Sequence, residues 1–411
     1  MIQIIDKQQC CGCSACVQKC PKQCISLKED NEGFLYPRVD TKTCIDCGLC
    51  EKVCPVLNPY ETREPLQVLA AINKDEKIRM ESSSGGIFTL LAEPIIREGG
   101  VVFGARFDEE WQVTLDYTET IEGLAAFRGS KYVQARTGET YKQCEQFLKA
   151  GRKVLYTGTP CQIAGLHHYL RKEYDNLISC DLACHGVPSP LVWHRYLESV
   201  CEENKSAQRA VDGKSTVSSS LNAMSLIKDI KFREKKNGWK KFRFVLKFNE
   251  SSDEVEKSSV LSSIHYQNLF FHAFNSGIIL RPSCYICSIK NSCRSKSDIT
   301  MADFWGINVI DSSLDDDKGT SLIIANSEKG RKVVDQLPLL IKKEFDYELA
   351  LRYNGGLRVG SFIHPKRNSF FEDFSKSKSI MKSLKNALKP NFTMKFNRYK
   401  NAIVKRLKKI L

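Results

Sequence analysis

Two cysteine repeats near the amino terminus, followed by apolar runs of strand length alternating with helix-length segments, predict a multidomain chain of mixed α+β and α/β class. A small cysteine module over residues 1–60 precedes a larger α/β body. The 411 residues, 42% of them hydrophobic, suffice for two or three domains with buried cores. No basic segment followed by an apolar stretch opens the chain, and no window approaches the roughly 18 apolar residues that span a bilayer, so a cytoplasmic protein is expected.

Eighteen cysteines in a chain of this length argue for reduced thiolates that bind metal, because disulfide frameworks belong to small secreted domains. The net charge of +14 invites a nucleic-acid reading. Ten basic and no acidic residues lie between Lys382 and Leu411, however, leaving +4 for the other 381 residues. No nucleic-acid partner is expected on that basis.

The first repeat is Cys10, Cys13, Cys16, Cys20, Pro21 and the second is Cys44, Cys47, Cys50, Cys54, Pro55; both obey CxxCxxCxxxCP. In a bacterial ferredoxin-type module, a tight turn lets three thiolates reach one 4Fe–4S cubane while the fourth cysteine, expected to open a helix, points at the other cluster. One cluster is therefore assigned to Cys10, Cys13, Cys16 and Cys54, and the other to Cys44, Cys47, Cys50 and Cys20. Cys11 and Cys24 fall outside this register and read as small buried hydrophobes. Zinc ribbons also carry paired CxxC runs, but four cysteines closed by proline, twice, are more specific to cubanes. Such clusters carry single electrons and do no bond chemistry on carbon, which places the chemistry downstream.

After a link containing Pro55, Pro59 and Pro65, strands are expected at Val68–Ile72, Val101–Ala105, Val154–Thr157 and Leu177–Leu182. Ser82-Ser83-Ser84-Gly85-Gly86 precedes a helix from Ile87 and offers N–H groups and hydroxyls to a phosphate, although ordinary Ser/Gly loops look the same. Cys161 and Cys184 follow the third and fourth strands, where open α/β sheets place their ligands. Ser189-Pro190 reads as an N-cap with proline at the first helical position. A later CxxC, Cys284 and Cys287, with Cys293 beyond it, offers thiolates for a third metal site. Ile230–Arg233 and Phe242–Phe248 flank an Asn-Gly turn and predict a hairpin. The polar, Ser-rich stretch 202–220 predicts a loop.

The segments SSSGG, RGSKYVQA (128–135), GTPCQIAGL (158–166), DLACHGVPS (181–189), RPSCYIC and SDITMADFWG, in this order, resemble the family of coenzyme F-420 hydrogenase/dehydrogenase beta subunits. The resemblance covers about residues 65–370 and divides them into an amino-terminal flavin and cluster domain, 65–200, and a carboxyl-terminal domain, 201–370. It implies an iron–sulfur flavoprotein with FAD and one body cluster, exchanging hydride with a substrate that differs between branches. That substrate is the deazaflavin F-420 in archaeal members and other organic molecules, hydroxymethyl chlorophyllide a among them, elsewhere. The implied body ligands are Cys161, Cys184, Cys284 and Cys287, with Cys293 an alternative fourth ligand that departs from the commonest pattern. The implied flavin site is Ser83, Ser84, Gly85, Gly86, Arg128, Ser130, Lys131 and Tyr132.

Flavin is the usual converter between one-electron clusters and two-electron hydride transfer, so the residue-level reading agrees with this chemistry. His185 and Lys131 are the candidate catalytic residues. His185 follows a ligand, where it can donate a proton, tune the cluster or serve structurally; Lys131 and Arg128 suit phosphate, an anionic reduced ring or solvent. Two functions are expected: an oxidoreductase fed by a ferredoxin-like donor or an associated redox enzyme and acting on a small molecule, or a non-catalytic electron-transfer subunit of a partner enzyme. Phe392, Phe396, Tyr399, Ile403, Leu407 and Ile410 give the tail, 381–411, a basic amphipathic helix suited to peripheral contact with an anionic membrane, a partner or its own domain.

Overall fold

The computed structural model describes residues 1–212, 223–249, 260–290, 294–337 and 340–390. Cys293 and the segment 391–411, with its expected basic helix, lie outside the described residues. The module contributes an antiparallel hairpin, β1 (Ile25–Glu29) and β2 (Leu35–Val39). The body follows as β3 (Gln67–Asn73), β4 (Val101–Phe107), β5 (Val113–Thr118), β6 (Val154–Gly158), β7 (Leu177–Leu182), β8 (Ile227–Glu234), β9 (Arg243–Phe248), β10 (Val260–Ile264), β11 (Ile299–Asp303), β12 (Ser321–Ala325) and β13 (Leu340–Glu344). The chain is thus α/β with a ferredoxin-like module at its amino terminus.

Eight strands form one mixed sheet in the order β13-β3-β12-β11-β7-β6-β4-β5. Its centre, β4, β6, β7 and β11, is parallel, and antiparallel strands complete both edges. Helices cover both faces, which is why β6 is apolar and buried along its whole length. The sheet draws strands from both 65–200 and 201–370. A second antiparallel sheet, β10-β9-β8, packs its aromatic face on the helix Pro190–Asp212 and on Phe270 and Phe271. The expected hairpin forms here, with Gly238 in the turn at positive φ.

Local differences from the sequence reading have physical causes. Ser189 does cap the helix Pro190–Asp212, its hydroxyl accepting from Val192 N–H at 3.2 Å. That helix continues to Asp212 where the sequence predicts a loop from 202, and 213–220 lie outside the described residues. A short helix, Glu76–Glu81, separates β3 from the serine loop. In the module, the short helices Ala15–Lys19 and Leu49–Lys52 contain Cys16 and Cys50, so Cys20 and Cys54 follow the helices instead of opening them.

The module does not hang from a linker. Cys13, Ala15 and Val53 are buried in one cluster with Tyr141, Tyr156, Ile163 and Leu166, while Phe34 and Tyr36 join the aromatic core around Trp193. Gly165 lets the helix Pro160–Leu170 approach this closely, since a Cβ there would stand 2.9 Å from Cys13 Cβ. Glu32 of the hairpin accepts two N–H bonds, at 2.9 and 2.5 Å, from the buried guanidinium of Arg367. Breaking such a pair strands a buried charge. Glu32→Ala should therefore destabilise the protein by about 3 kcal/mol in chemical denaturation, and adding Arg367→Met should recover a large part of that loss.

Candidate metal and cofactor site

Cys20, Cys44, Cys47 and Cys50 line a single cavity at the outer end of the module. Cys47 is exposed there, and Cys24, buried as expected, lies beside it with its sulfur 3.4 Å from Cys20 Sγ. Ile2 N–H donates to Cys50 Sγ at 3.3 Å. On the inner side, Cys10, Cys13, Cys16 and Cys54 gather against the body. Burial first, and then the neighbouring Cys10 and Cys54 thiols, push Cys16 up to about 12.

A third group lies at the carboxyl ends of the central strands. Cys161 enters in the first turn of the helix after β6, capped by Thr159 and Gln162, and Cys184 follows β7. Cys284 and Cys287 join them from the turn after Leu280, which bridges to Pro188. Burial pushes the Cys284 thiol up to about 12, and Cys184 is also raised by burial and by its three cysteine neighbours. Val187 N–H donates to Cys284 Sγ at 3.4 Å. Cys11 is placed between the inner and body groups, where the Cys13 and Cys161 thiols are its electrostatic neighbours and burial helps to raise its pKa.

Buried thiols that raise one another's pKa resist ionisation unless a metal core supplies positive charge, and all-sulfur donors suit iron–sulfur clusters. The three groups fit such centres. A tetrahedral zinc needs ligands converging on a single ion, and among the described residues no three His, Cys, Asp or Glu side chains do so.

A cavity of about 270 Å³, open to solvent, lies beside the body cysteines. Ser83, Ser84, Gly86, Arg128, Ser130, Lys131 and Tyr132 line it on one side, and Cys184 and His185 on another. The serine loop and the 128–132 loop are joined by Ser130 N–H donating to Ser83 Oγ at 2.7 Å. Gly85 does not reach the cavity; its N–H is spent on Ser321 Oγ at 2.9 Å, tying the loop to β12. Arg128 is ion-paired with Glu81, so its charge is already partly balanced.

The acidic run 315–317 acquires a role as the buttress of the serine loop. Asp316 takes a bidentate pair from Arg79 at 2.7 and 2.6 Å. Buried Lys235 donates to the carbonyls of Arg79, Ser84 and Lys318. Arg233 and Asp303, which carried no sequence assignment, also line the cavity, paired at 2.5 Å. Asp303 was visible only as a letter of the ADFWG motif, and nothing near Arg233 in the chain marks it.

His185 packs edge-on to Phe274 at 5.1 Å, and burial holds its pKa below the usual histidine value, leaving it neutral at pH 7. Burial pushes the Lys131 ammonium down to about 7 while it donates to the carbonyls of Arg128 and Gly129 at 3.2 Å. Its charge is present below that pH and lost above it. The affinity of the protein for pyrophosphate, measured by calorimetry, should therefore fall as pH rises through 7, and Lys131→Met should flatten that dependence.

Residues 9–58 match the model of the 4Fe-4S dicluster domain, and with the clustered thiols this defines an iron–sulfur electron-transfer protein. Residues 151–339 match the model described as the carboxyl terminus of the coenzyme F420 hydrogenase/dehydrogenase beta subunit. The chain thus carries a region like that family's carboxyl terminus behind an amino-terminal dicluster domain. Among its relatives, a subunit of the F(420)H(2) dehydrogenase of Methanosarcina mazei is 24% identical over 169 residues, 39% of this chain and 48% of the relative. Coenzyme F420-dependent sulfite reductase of Methanocaldococcus jannaschii is 26% identical over 204 residues, 47% and 30% respectively. A 7Fe ferredoxin of Hydrogenibacillus schlegelii is 47% identical over 47 residues, 11% and 54%. The chain spans about half the length, or less, of these relatives. A chain of the F420-reducing [NiFe] hydrogenase complex from Methanosarcina barkeri superposes with a TM-score of 0.43 at 15% identity, covering 77% of this chain and 95% of that one. No described helix is long and apolar enough to cross a membrane.

Proposed function

We propose that the chain is an iron–sulfur flavoprotein oxidoreductase. Cys10, Cys13, Cys16 and Cys54 hold the inner module cluster, Cys44, Cys47, Cys50 and Cys20 the outer one, and Cys161, Cys184, Cys284 and Cys287 the body cluster. FAD occupies the large cavity. One observation carries the reading: Cys184 belongs to the body thiol group and also lines that cavity. The bound flavin would supply the exchange between single electrons and a hydride passed to an organic substrate or a deazaflavin coenzyme.

The side chains divide the remaining work. Ser83, Ser130 and the backbone around them offer hydrogen bonds to a diphosphate, and Lys131 adds charge below pH 7. Neutral His185, beside Cys184, can hold or accept a proton at the cavity wall. Exposed Cys47 marks the rim that a redox partner protein would approach. One relative is named as a single subunit of a dehydrogenase, which favours a second reading, in which the chain passes electrons to a partner enzyme and binds no substrate of its own.

Anaerobically purified protein should contain about twelve iron atoms and one FAD per chain, and Cys284→Ser should lower the iron to about eight. Fewer than two clusters would overturn the assignment, and absence of flavin would remove the enzyme reading. Reduced protein that is reoxidised by a partner protein but by no F-420 or other small organic acceptor would establish the second reading.

A further inference from the structure

Arg281 is about 1% exposed, on the turn that leads to Cys284, yet its guanidinium extends into the module. Nε donates to Cys10 O at 2.7 Å, Nη1 to Gln134 Oε1 at 3.0 Å, and Nη2 to Leu35 O at 3.0 Å and to Cys10 Sγ at 3.5 Å. The Tyr36 and Phe34 rings lie 4.3 and 5.4 Å from Cζ. Gly12, at φ +74°, makes room for it, because a Cβ there would stand 2.9 Å from Arg281 Cζ. Gln134 also donates to Cys11 O at 3.3 Å, so one buried network grips the loop Cys10–Gly12 from the body side.

The charge on this network is unusual for the protein. Buried Arg79, Arg233 and Arg367 each face a carboxylate. Among the described residues, no carboxylate lies within ion-pair distance of Arg281; its oxygen partners are two carbonyls and an amide. A fully buried cation needs a counter-charge, and the groups that face it are Cys10 and Cys11 of the module, Cys161 and Cys284 of the body, and the Tyr36 hydroxyl; only Cys10 Sγ is within hydrogen-bonding reach. Thiolates around a metal centre supply that charge. Among the described residues the outer cysteine group has no equivalent: Lys22 at its rim is exposed to solvent, and the terminal amine is paired with Asp46 at 2.8 Å and Glu51 at 3.5 Å.

We propose that Arg281 is a positioning residue that raises the reduction potential of the inner module centre above that of the outer one, so that electrons run from the exposed Cys47 rim toward the body. The inference rests on the two-cluster reading of the module. Reduction adds one negative charge to a thiolate-bound centre, and a desolvated cation within hydrogen-bonding reach of a ligand sulfur favours that state over the oxidised one. Arginine keeps this charge at every physiological pH, and burial shields it from salt. Each step moves one electron: an external one-electron carrier protein is oxidised as the outer centre is reduced, and the outer centre is reoxidised as the inner one is reduced.

The test is a redox titration of the full-length holoprotein followed by electron paramagnetic resonance. Cys47→Ser alters or abolishes the outer signal and so identifies it. In the wild type the inner centre should reduce first. Arg281→Gln should shift the electron distribution between the two centres about tenfold toward the outer one, which is 59 mV for a one-electron couple, while the outer midpoint stays in place. Arg281→Lys should restore most of the difference, which a purely structural role for arginine would not produce. An outer centre that reduces first in the wild type overturns the proposal, as does Arg281→Gln with full iron and an unmoved inner midpoint. If Arg281→Gln fails to accumulate, the wild-type order and Arg281→Lys decide. Module iron well below about eight atoms would instead refute the two-cluster reading itself, and is seen before any titration begins.

Discussion

Cys13, Ala15 and Val53 are buried in the same apolar cluster as Tyr141, Tyr156, Ile163 and Leu166, and the rest of the molecule depends on that continuity. A ferredoxin-like module of some 60 residues can bury little surface alone. Here it completes its core with residues of the body, and the body closes one end of its sheet with residues of the module. The Glu32–Arg367 pair and the Phe34 and Tyr36 rings extend the contact to the aromatic core. The result brings Cys11 of the module beside Cys161 of the body.

Charge is arranged with similar economy. Lys235 and Arg79 are buried beneath the serine loop and are answered by carbonyls and by Asp316, which makes the loop a rigid wall and leaves Ser83 and Ser130 to face the cavity. Lys131 lies at that wall with its ammonium poised near neutrality. The cavity therefore joins a hydrogen-bonding, phosphate-like side to a side formed by Cys184 and His185. One open cleft joins these two sides, and the strand ends β6 and β7 bring them together.

The departures from the sequence reading are local competitions that pattern alone cannot decide. Gly85 belongs to a loop with the composition of a phosphate cradle, and its N–H is bonded to Ser321 of β12. Arg128 lines the cavity as an ion pair with Glu81, 47 residues earlier in the chain. The segment 202–212 is polar enough to be a loop, yet it continues the helix Pro190–Asp212. Cys20 is the C-cap of its short helix, and Cys54 follows the C-cap Val53 of the other.

Spacing within a few residues was enough to announce the cysteine runs of the module, strands β3, β4, β6 and β7, the β8–β9 hairpin and the Ser189-Pro190 helix start, because each rests on local geometry: a tight turn, an alternation, a cap. The position of Cys11 between the inner and body groups, the shared core, the buttress under the serine loop and the position of Arg281 required the tertiary structure. Those features join residues more than a hundred positions apart, from Cys10 to Arg281 and from Arg79 to Asp316. No local propensity encodes such contacts; they exist only once the sheet has closed and the desolvated charges have found partners.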